Sequence, residues 1–190
     1  MSETGTVKVL GMSGSLRKAS YNTAALRAAG ELLPDGMTLE TVDLAPLPHY
    51  NDDVRLAGYP PVVQAFRDRI KAADAVLFCT PEYNYSVSGV LKNAIDWASR
   101  PPDQPFNWKA CAIISGGPGL LGGVRAQYHL RHICVSLNCF VVNQPQVYIT
   151  EAAKKFDADG RLTDQGTRDF IKQMLGELRV LALKLKGGAG

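Results

Sequence analysis

Residues 11–22 read GMSGSLRKASYN and follow directly on the apolar run VKVL at 7–10. The chain thus leaves a buried strand through three serines (Ser13, Ser15 and Ser20), two cations (Arg17 and Lys18) and Asn22, with no acidic group among them. A loop of small residues, hydroxyls, an amide and positive charge at the end of a strand suits an anion. Serine hydroxyls and the free N–H groups of a helix start donate to oxyanion oxygens, and a guanidinium adds a forked, charged donor. The same residues also have a local reading, in which Ser20 caps the next helix while Arg17 and Lys18 are solvated. The loop is not a P-loop, because GxxxxGK[ST] does not occur in it.

Outward from this stretch, short apolar runs at 7–11, 38–43, 75–80, 110–115 and 140–142, the last extending toward 149, read as strands. Between and after them, 22–33, 61–72, 87–100, 124–137 and 163–185 have helical periodicity, with Pro61 at a helix start and Thr163 in an N-cap position. Five strands alternating with five helices specify an α/β fold, a doubly wound, five-stranded parallel sheet covered on both faces. The length of 190 residues, 46% of them hydrophobic and 21% charged, suits a single domain over 1–190, with the Gly-rich end at 187–190 expected to be disordered. A net charge of +3 and scattered Lys and Arg exclude a nucleic-acid-binding face. No run of about 18 apolar residues and no secretory leader pattern occurs, so no membrane contact and a cytoplasmic location are expected.

In an open parallel sheet the ligand lies beyond the carboxyl ends of the strands. In the strand order 2-1-3-4-5 the loops after strands one, three and four converge on one crevice. The second of these, Pro81-Glu82-Tyr83-Asn84-Tyr85-Ser86, mixes aromatic and polar groups, as a planar heterocycle needs, or is an ordinary turn. The third runs from Ser115 to Gly123 and contains Gly117-x-Gly119-x-x-Gly122. That formally meets the dinucleotide fingerprint, but it follows the fourth strand, and no Asp or Glu stands between 104 and 150 to hold a ribose. Its glycines either admit a flat ring to the backbone or make a flexible turn.

GSLRKASYN, PEYNYSVSGVLKNAIDWASR and SGGPGLLGG, in that order, resemble the NADPH-dependent FMN reductase family of flavodoxin-like proteins, close to its quinone and chromate reductase members. The resemblance spans residues 6–150. It implies non-covalent FMN, with Ser13, Ser15, Arg17, Ser20, Asn22 and Thr23 around the phosphate. Pro81, Glu82, Tyr83 and Asn84 then lie along the flavin ring, and Ser115, Gly116 and Gly117 at its other edge. The anion of the first loop becomes the FMN phosphate. The resemblance further implies hydride transfer from NADPH or NADH to flavin N5, then delivery of two electrons to an acceptor in the same pocket: quinones, with chromate and other metal oxyanions as further candidates. The cofactor carries such chemistry, so no catalytic side chain and no metal is called for. The family also implies a homodimer or homotetramer. The alternative is a flavodoxin-type FMN electron carrier, or a redox sensor, without NAD(P)H activity. Such carriers resemble one another in being strongly acidic and lacking an arginine in the phosphate loop, whereas this chain is slightly basic and carries Arg17.

Glu82 is read as a carboxylate held by the flavin or by a neighbouring subunit rather than as a general base. His49, His129 and His132 are assigned to the surface or an interface. Cys79, Cys111, Cys134 and Cys139 have no CxxC spacing and apolar neighbours, so they are read as small buried side chains. On 87–100, Val87, Val90, Leu91, Ala94, Ile95 and Ala98 share one face while Trp97 points elsewhere, and 124–137 is apolar nearly all round. Both helices are therefore expected at a subunit interface. Lys109, Arg125 and Arg131 in the acid-free stretch lean toward NADPH over NADH.

Overall fold

A computed structural model describes residues 5–187. The end expected to be disordered lies outside them apart from Gly187, which closes the last helix. β1 (Val7–Ser13) pairs in parallel with β2 (Met37–Val42) on one side and β3 (Ala75–Thr80) on the other, with Val9 opposite both Leu39 and Ala75. β4 (Glu82–Tyr83) and β5 (Ser86–Val87) form a separate antiparallel hairpin. β6 (Ala110–Gly116) lies beside β3, and β7 (Phe140–Val141) and β8 (Val147–Ile149) both pair in parallel with β6. The main path β2-β1-β3-β6-β7 is the expected order 2-1-3-4-5. β3 and β6 are buried at every position, which is why AVLFCT and ACAIISG read as continuous apolar runs rather than alternating ones.

Two cores result, one on each face of the sheet. α1 (Tyr21–Glu31) and the long α6 (Gln165–Gly187) cover one, with Ile171, Met174, Leu175, Leu178 and Ala182 of α6 packed against Val7, Val9, Leu77 and Ile114. Spacings of three, four and seven keep those α6 residues on one stripe. α2 (Asp52–Ala57) is short and buries nothing. α3 (Pro61–Ala72), α4 (Gly89–Ala98) and α5 (Val124–Ser136) cover the other face, where Phe66, Leu91 and Leu130 meet Leu10, Phe78 and Ile113.

Several expectations need correction. The fifth strand is broken into β7 and β8, separated by a segment that contains Pro145, which has no N–H to give to a ladder. The last helix begins at Gln165, not Thr163: the Asp164 carboxylate accepts from the Thr167 N–H at 2.9 Å, whereas the Thr163 hydroxyl donates to the Lys155 carbonyl. The segment 81–86 is no plain loop but a hairpin. The extra helix α2 is made locally, by Asn51 accepting from the Asp53 N–H at 2.9 Å and by acids in its first turn.

Trp97 does not face a partner. It is fully buried, its indole N–H donates to the Pro48 carbonyl at 2.7 Å, and the Tyr50 ring meets it edge-on at 5.0 Å. The segment between β2 and α3 folds back over α4 and supplies that cover. On α5, Tyr128 and Val135 are indeed exposed, but Leu130 and Cys134 are core. Trp97→Ala is expected to destabilise the protein by roughly 3–5 kcal/mol, the cost of emptying a large core site. Trp108→Ala, at a side chain that is 60% exposed, is expected to cost about 1 kcal/mol or less. Urea unfolding of the two variants measures the difference, and equal costs would place Trp97 outside the core.

Candidate functional site

The three loops do converge. A cleft of about 350 Å³ lies beyond the carboxyl ends of β1, β3 and β6, lined by Ser15, Arg17, Ser20 and Asn22 from the first loop, Pro81, Glu82 and Tyr83 from the second, and Gly116, Gly117 and their neighbours to Gly123 from the third. That volume falls in the range of roughly 300–1,000 Å³ typical of small-molecule sites.

The first loop is organised by its own hydroxyls. Ser13 Oγ and Thr23 Oγ1 share a hydrogen bond of 2.8 Å, and the Ser15 N–H donates to Ser13 Oγ at 3.3 Å. Ser20 Oγ accepts from the Thr23 N–H at 3.2 Å and so caps α1, as the local reading holds. Ser13 and Thr23 therefore shape the loop from behind and do not line the cleft. The local reading accounts for the exposure of Arg17 but not for its place at the cleft. It is exposed, it lines the cleft, and its guanidinium has no acceptor among the described residues. The first turn of α1 carries no acid, and its leading N–H groups have no intrahelical acceptor. Asn22 is nearly buried and donates through Nδ2 to the Gly116 carbonyl at 3.0 Å, tying the first loop to the third, while its Oδ1 has no donor among the described residues.

Glu82 receives a definite role. One carboxylate oxygen accepts from the backbone N–H of Arg125 at 3.0 Å and of Ala126 at 3.3 Å, and the other accepts from the Arg125 guanidinium at 3.0 Å. α5 starts at Gly123 with no side-chain cap of its own, so Glu82 caps it from 43 residues away. Neither a flavin nor a second subunit is needed to hold that carboxylate. Arg125 in turn lies over the Tyr85 ring, 4.1 Å from its centroid. This stacking supports a tight hairpin turn in which Asn84 and Tyr85 have φ of 50° and 64°. Asn tolerates that region, but for Tyr it costs on the order of 1–2 kcal/mol. Asn84 is turned out at the hairpin tip and does not line the cleft. Ser86 Oγ and His129 Nδ1, 2.9 Å apart, fasten the far strand of the hairpin to α5.

Ser115 is also structural. It is fully buried, donates to the Gly122 carbonyl at 2.5 Å and accepts from Gln127 Nε2 at 3.1 Å, which pins the third loop across its mouth. Gly123, at φ 83°, lies so close that an added Cβ would stand 2.8 Å from Ser115 Cβ. Glycine there is a packing requirement, whereas Gly117 and Gly119 have open space where a Cβ would stand. Tyr21, Leu120 and Leu121 also line the cleft although the sequence reading placed them only within its loops, and Arg125, which it counted as a cation for NADPH, lines the cleft too. The same reading overvalued two cations: Lys109 donates to the carbonyl of Ala73 at 2.5 Å and Arg131 to that of Val142 at 3.0 Å, both away from the cleft, so neither argues for NADPH.

The model of the NADPH-dependent FMN reductase family matches residues 7–154. An NAD(P)H-dependent FMN reductase of Pseudomonas aeruginosa is 54% identical over 181 residues, covering 95% of this chain and 98% of the relative. An NAD(P)H:quinone oxidoreductase of Solanum tuberosum is 50% identical, with 98% of each chain covered. Among solved structures, the flavoenzyme NAD(P)H:(acceptor) oxidoreductase FerB of Paracoccus denitrificans superposes with a TM-score of 0.85 at 36% identity, covering 94% of this chain and 98% of that one.

If Glu82 is the cap of α5, Glu82→Ala should destabilise the ligand-free protein by about 1–2 kcal/mol, as loss of an N-cap does. Denaturant unfolding at neutral pH measures this, and an unchanged midpoint would show that the carboxylate does not hold α5.

Proposed function

We propose that this chain, which belongs to the NADPH-dependent FMN reductase family, is an FMN-dependent oxidoreductase that takes electrons from NADPH or NADH and passes them to quinones. One observation carries the assignment of the site. A guanidinium with no acceptor among the described residues stands beside the start of α1, whose first turn carries no acid, in a cleft whose acidic lining residue, Glu82, is already spent on α5.

The residues fit FMN at each part of its length. The phosphate is matched by Arg17, Ser15 and the first N–H groups of α1. The unsatisfied Asn22 Oδ1 asks for a hydroxyl donor, which the ribityl chain has. The open space over Gly117 and the wall of Pro81 and Tyr83 suit a flat ring. Bound there, FMN supplies the two-electron redox chemistry.

The chain's own residues bind and orient. Glu82 holds the second wall to the third, and Asn22 holds the first to the third. Ser13 and Thr23 brace the phosphate loop, and Ser115 braces the glycine loop. Glu82 is not a proton donor in this scheme, since its lone pairs already receive three N–H groups. Exposed Tyr83, Leu120 and Leu121 at the cleft suit a planar, largely apolar acceptor, which favours quinones. Chromate and other oxyanions are secondary candidates, because the rim cation Arg125 is already paired with Glu82. The reductase names of the relatives support this reading over an electron carrier or sensor.

The proposal includes a homodimer or homotetramer through α5, supported by the exposed Tyr128 and Val135 and no longer by Trp97. It also includes one FMN-binding domain and a cytoplasmic location. A reducing compartment suits the free thiols of Cys79, Cys111, Cys134 and Cys139.

Arg17→Ala removes a charge-assisted contact worth on the order of 1.5–3 kcal/mol and should weaken FMN roughly ten- to hundred-fold. Riboflavin lacks the phosphate, so its affinity should be the same in wild type and variant. Fluorescence titration of both ligands into both proteins is the test. Equal losses for FMN and riboflavin, or no loss for FMN, would show that Arg17 does not hold the phosphate.

A further inference from the structure

At the end of the sheet opposite the cleft, three of the four cysteines meet. α5 ends in a left-handed residue, Asn138 at φ 54°, and the chain closes on itself through two reverse bonds, the Asn138 N–H to the Val135 carbonyl at 3.0 Å and the Cys139 N–H to the Cys134 carbonyl at 2.9 Å. This is a Schellman closure, and it brings the residue after the left-handed position back against the residue five earlier. Here those two positions are Cys139 and Cys134. Cys111, near the start of β6, lies in the same core cluster, its thiol donating to the Lys109 carbonyl at 3.9 Å.

The three are not equivalent. Cys111 and Cys134 are fully buried, whereas Cys139 is half-buried and reaches solvent. Hydrogen bonding with Cys111 and then Cys134, with a smaller attraction from the Lys109 ammonium, holds the Cys139 thiol below the usual thiol range, while the pKa values of Cys111 and Cys134 are raised. Lys109 is kept there by its bonds to the carbonyls of Ala73 and Lys71. When protonated, Cys139 donates to the Phe106 carbonyl at 3.2 Å. A half-buried cysteine folded back by the helix closure against a second, fully buried one is the arrangement in which a reactive cysteine stands beside a resolving one.

We propose that Cys139 is a peroxide-reactive thiol that closes a disulfide with a neighbour, Cys134 or Cys111. The Cys139 thiolate attacks one oxygen of hydrogen peroxide, the O–O bond breaks and hydroxide leaves, taking up the proton that Cys139 had released to form water. The resulting sulfenic acid is attacked by the neighbouring thiol, the S–S bond forms, and the hydroxyl leaves with the thiol proton as a second water. Two thiols are oxidised and one peroxide is reduced to two waters. The site is independent of the flavin reading, since none of the three cysteines lines the cleft.

The test treats the full-length protein with a small excess of hydrogen peroxide, alkylates the remaining thiols after denaturation, and maps tryptic peptides by mass. Cys134 and Cys139 share the peptide 132–154, and Cys111 lies in 110–125. The expected result is that 132–154 becomes two hydrogens lighter and unalkylated, or is joined to 110–125, while Cys79 stays alkylated. In Cys139→Ser the same treatment should cross-link the remaining pair about tenfold more slowly or not at all, because both are held as protonated thiols. Four alkylated cysteines after peroxide, Cys139 found only as sulfinic or sulfonic acid, or an equally fast cross-link in Cys139→Ser would each overturn the proposal.

Discussion

Where β1 ends, the backbone is pressed against its neighbours at Gly14. A Cβ there would stand 2.6 Å from Ser88 Oγ, 3.2 Å from Leu91 Cβ and 3.3 Å from Thr80 Oγ1, and the Gly14 N–H continues the ladder by donating to the Cys79 carbonyl at 2.8 Å. This close approach fixes the first loop against the end of β3 and the start of α4. From there the constraint passes on. β3 runs directly into Pro81 and Glu82, the Glu82 carboxylate holds the first turn of α5, and Gln127 of that helix holds Ser115, which holds the third loop. Asn22 closes the circuit from α1 to the carbonyl of Gly116. The three walls of the cleft are one connected set of contacts, which is how a site made of loops becomes preorganised.

Several cations of the molecule are answered by the protein itself, whereas Arg17 at the cleft has no acceptor among the described residues. Buried Arg67 donates to the carbonyls of Ala98 and Asp103 and lies over the Tyr59 ring. Lys109 and Arg131 likewise end on carbonyls, and Arg125 on Glu82. In each case the protein itself supplies the acceptors that desolvation demands. Arg17 stands exposed beside a helix start without an acid, where its guanidinium is free to take an anionic ligand. An anionic ligand completes the electrostatics of this end of the sheet.

Much of this was legible in the sequence because the information was local. AVLFCT and ACAIIS read as strands from their short, continuous apolar runs, Pro61 marked a helix start to the residue, and the serines and cations between 13 and 20 pointed to an anion before any contact was known. What escaped depended on partners far along the chain. Glu82 looked like a ligand-side acid because the helix start it caps lies 43 residues on. Trp97 looked like an interface residue because the Pro48 carbonyl that takes its N–H comes from a loop with no periodic signal. Ser115 resembled a site hydroxyl until Gly122 and Gln127 were seen to occupy it. The helix α2 buries nothing, so hydrophobic periodicity had nothing to report there. The left-handed turn at Asn84 and Tyr85 was hidden because Tyr is not a residue that announces such a turn.

The central claim is that electrons pass through FMN held in this cleft. The most direct measurement strips the protein of bound cofactor and follows NADPH or NADH oxidation with a soluble quinone, before and after adding FMN at one equivalent per chain. The account predicts negligible turnover by the stripped protein, restoration by FMN that saturates near one per chain, and no restoration by the same amount of FMN without protein. Turnover that is indifferent to FMN, or none with FMN fully bound, would contradict it.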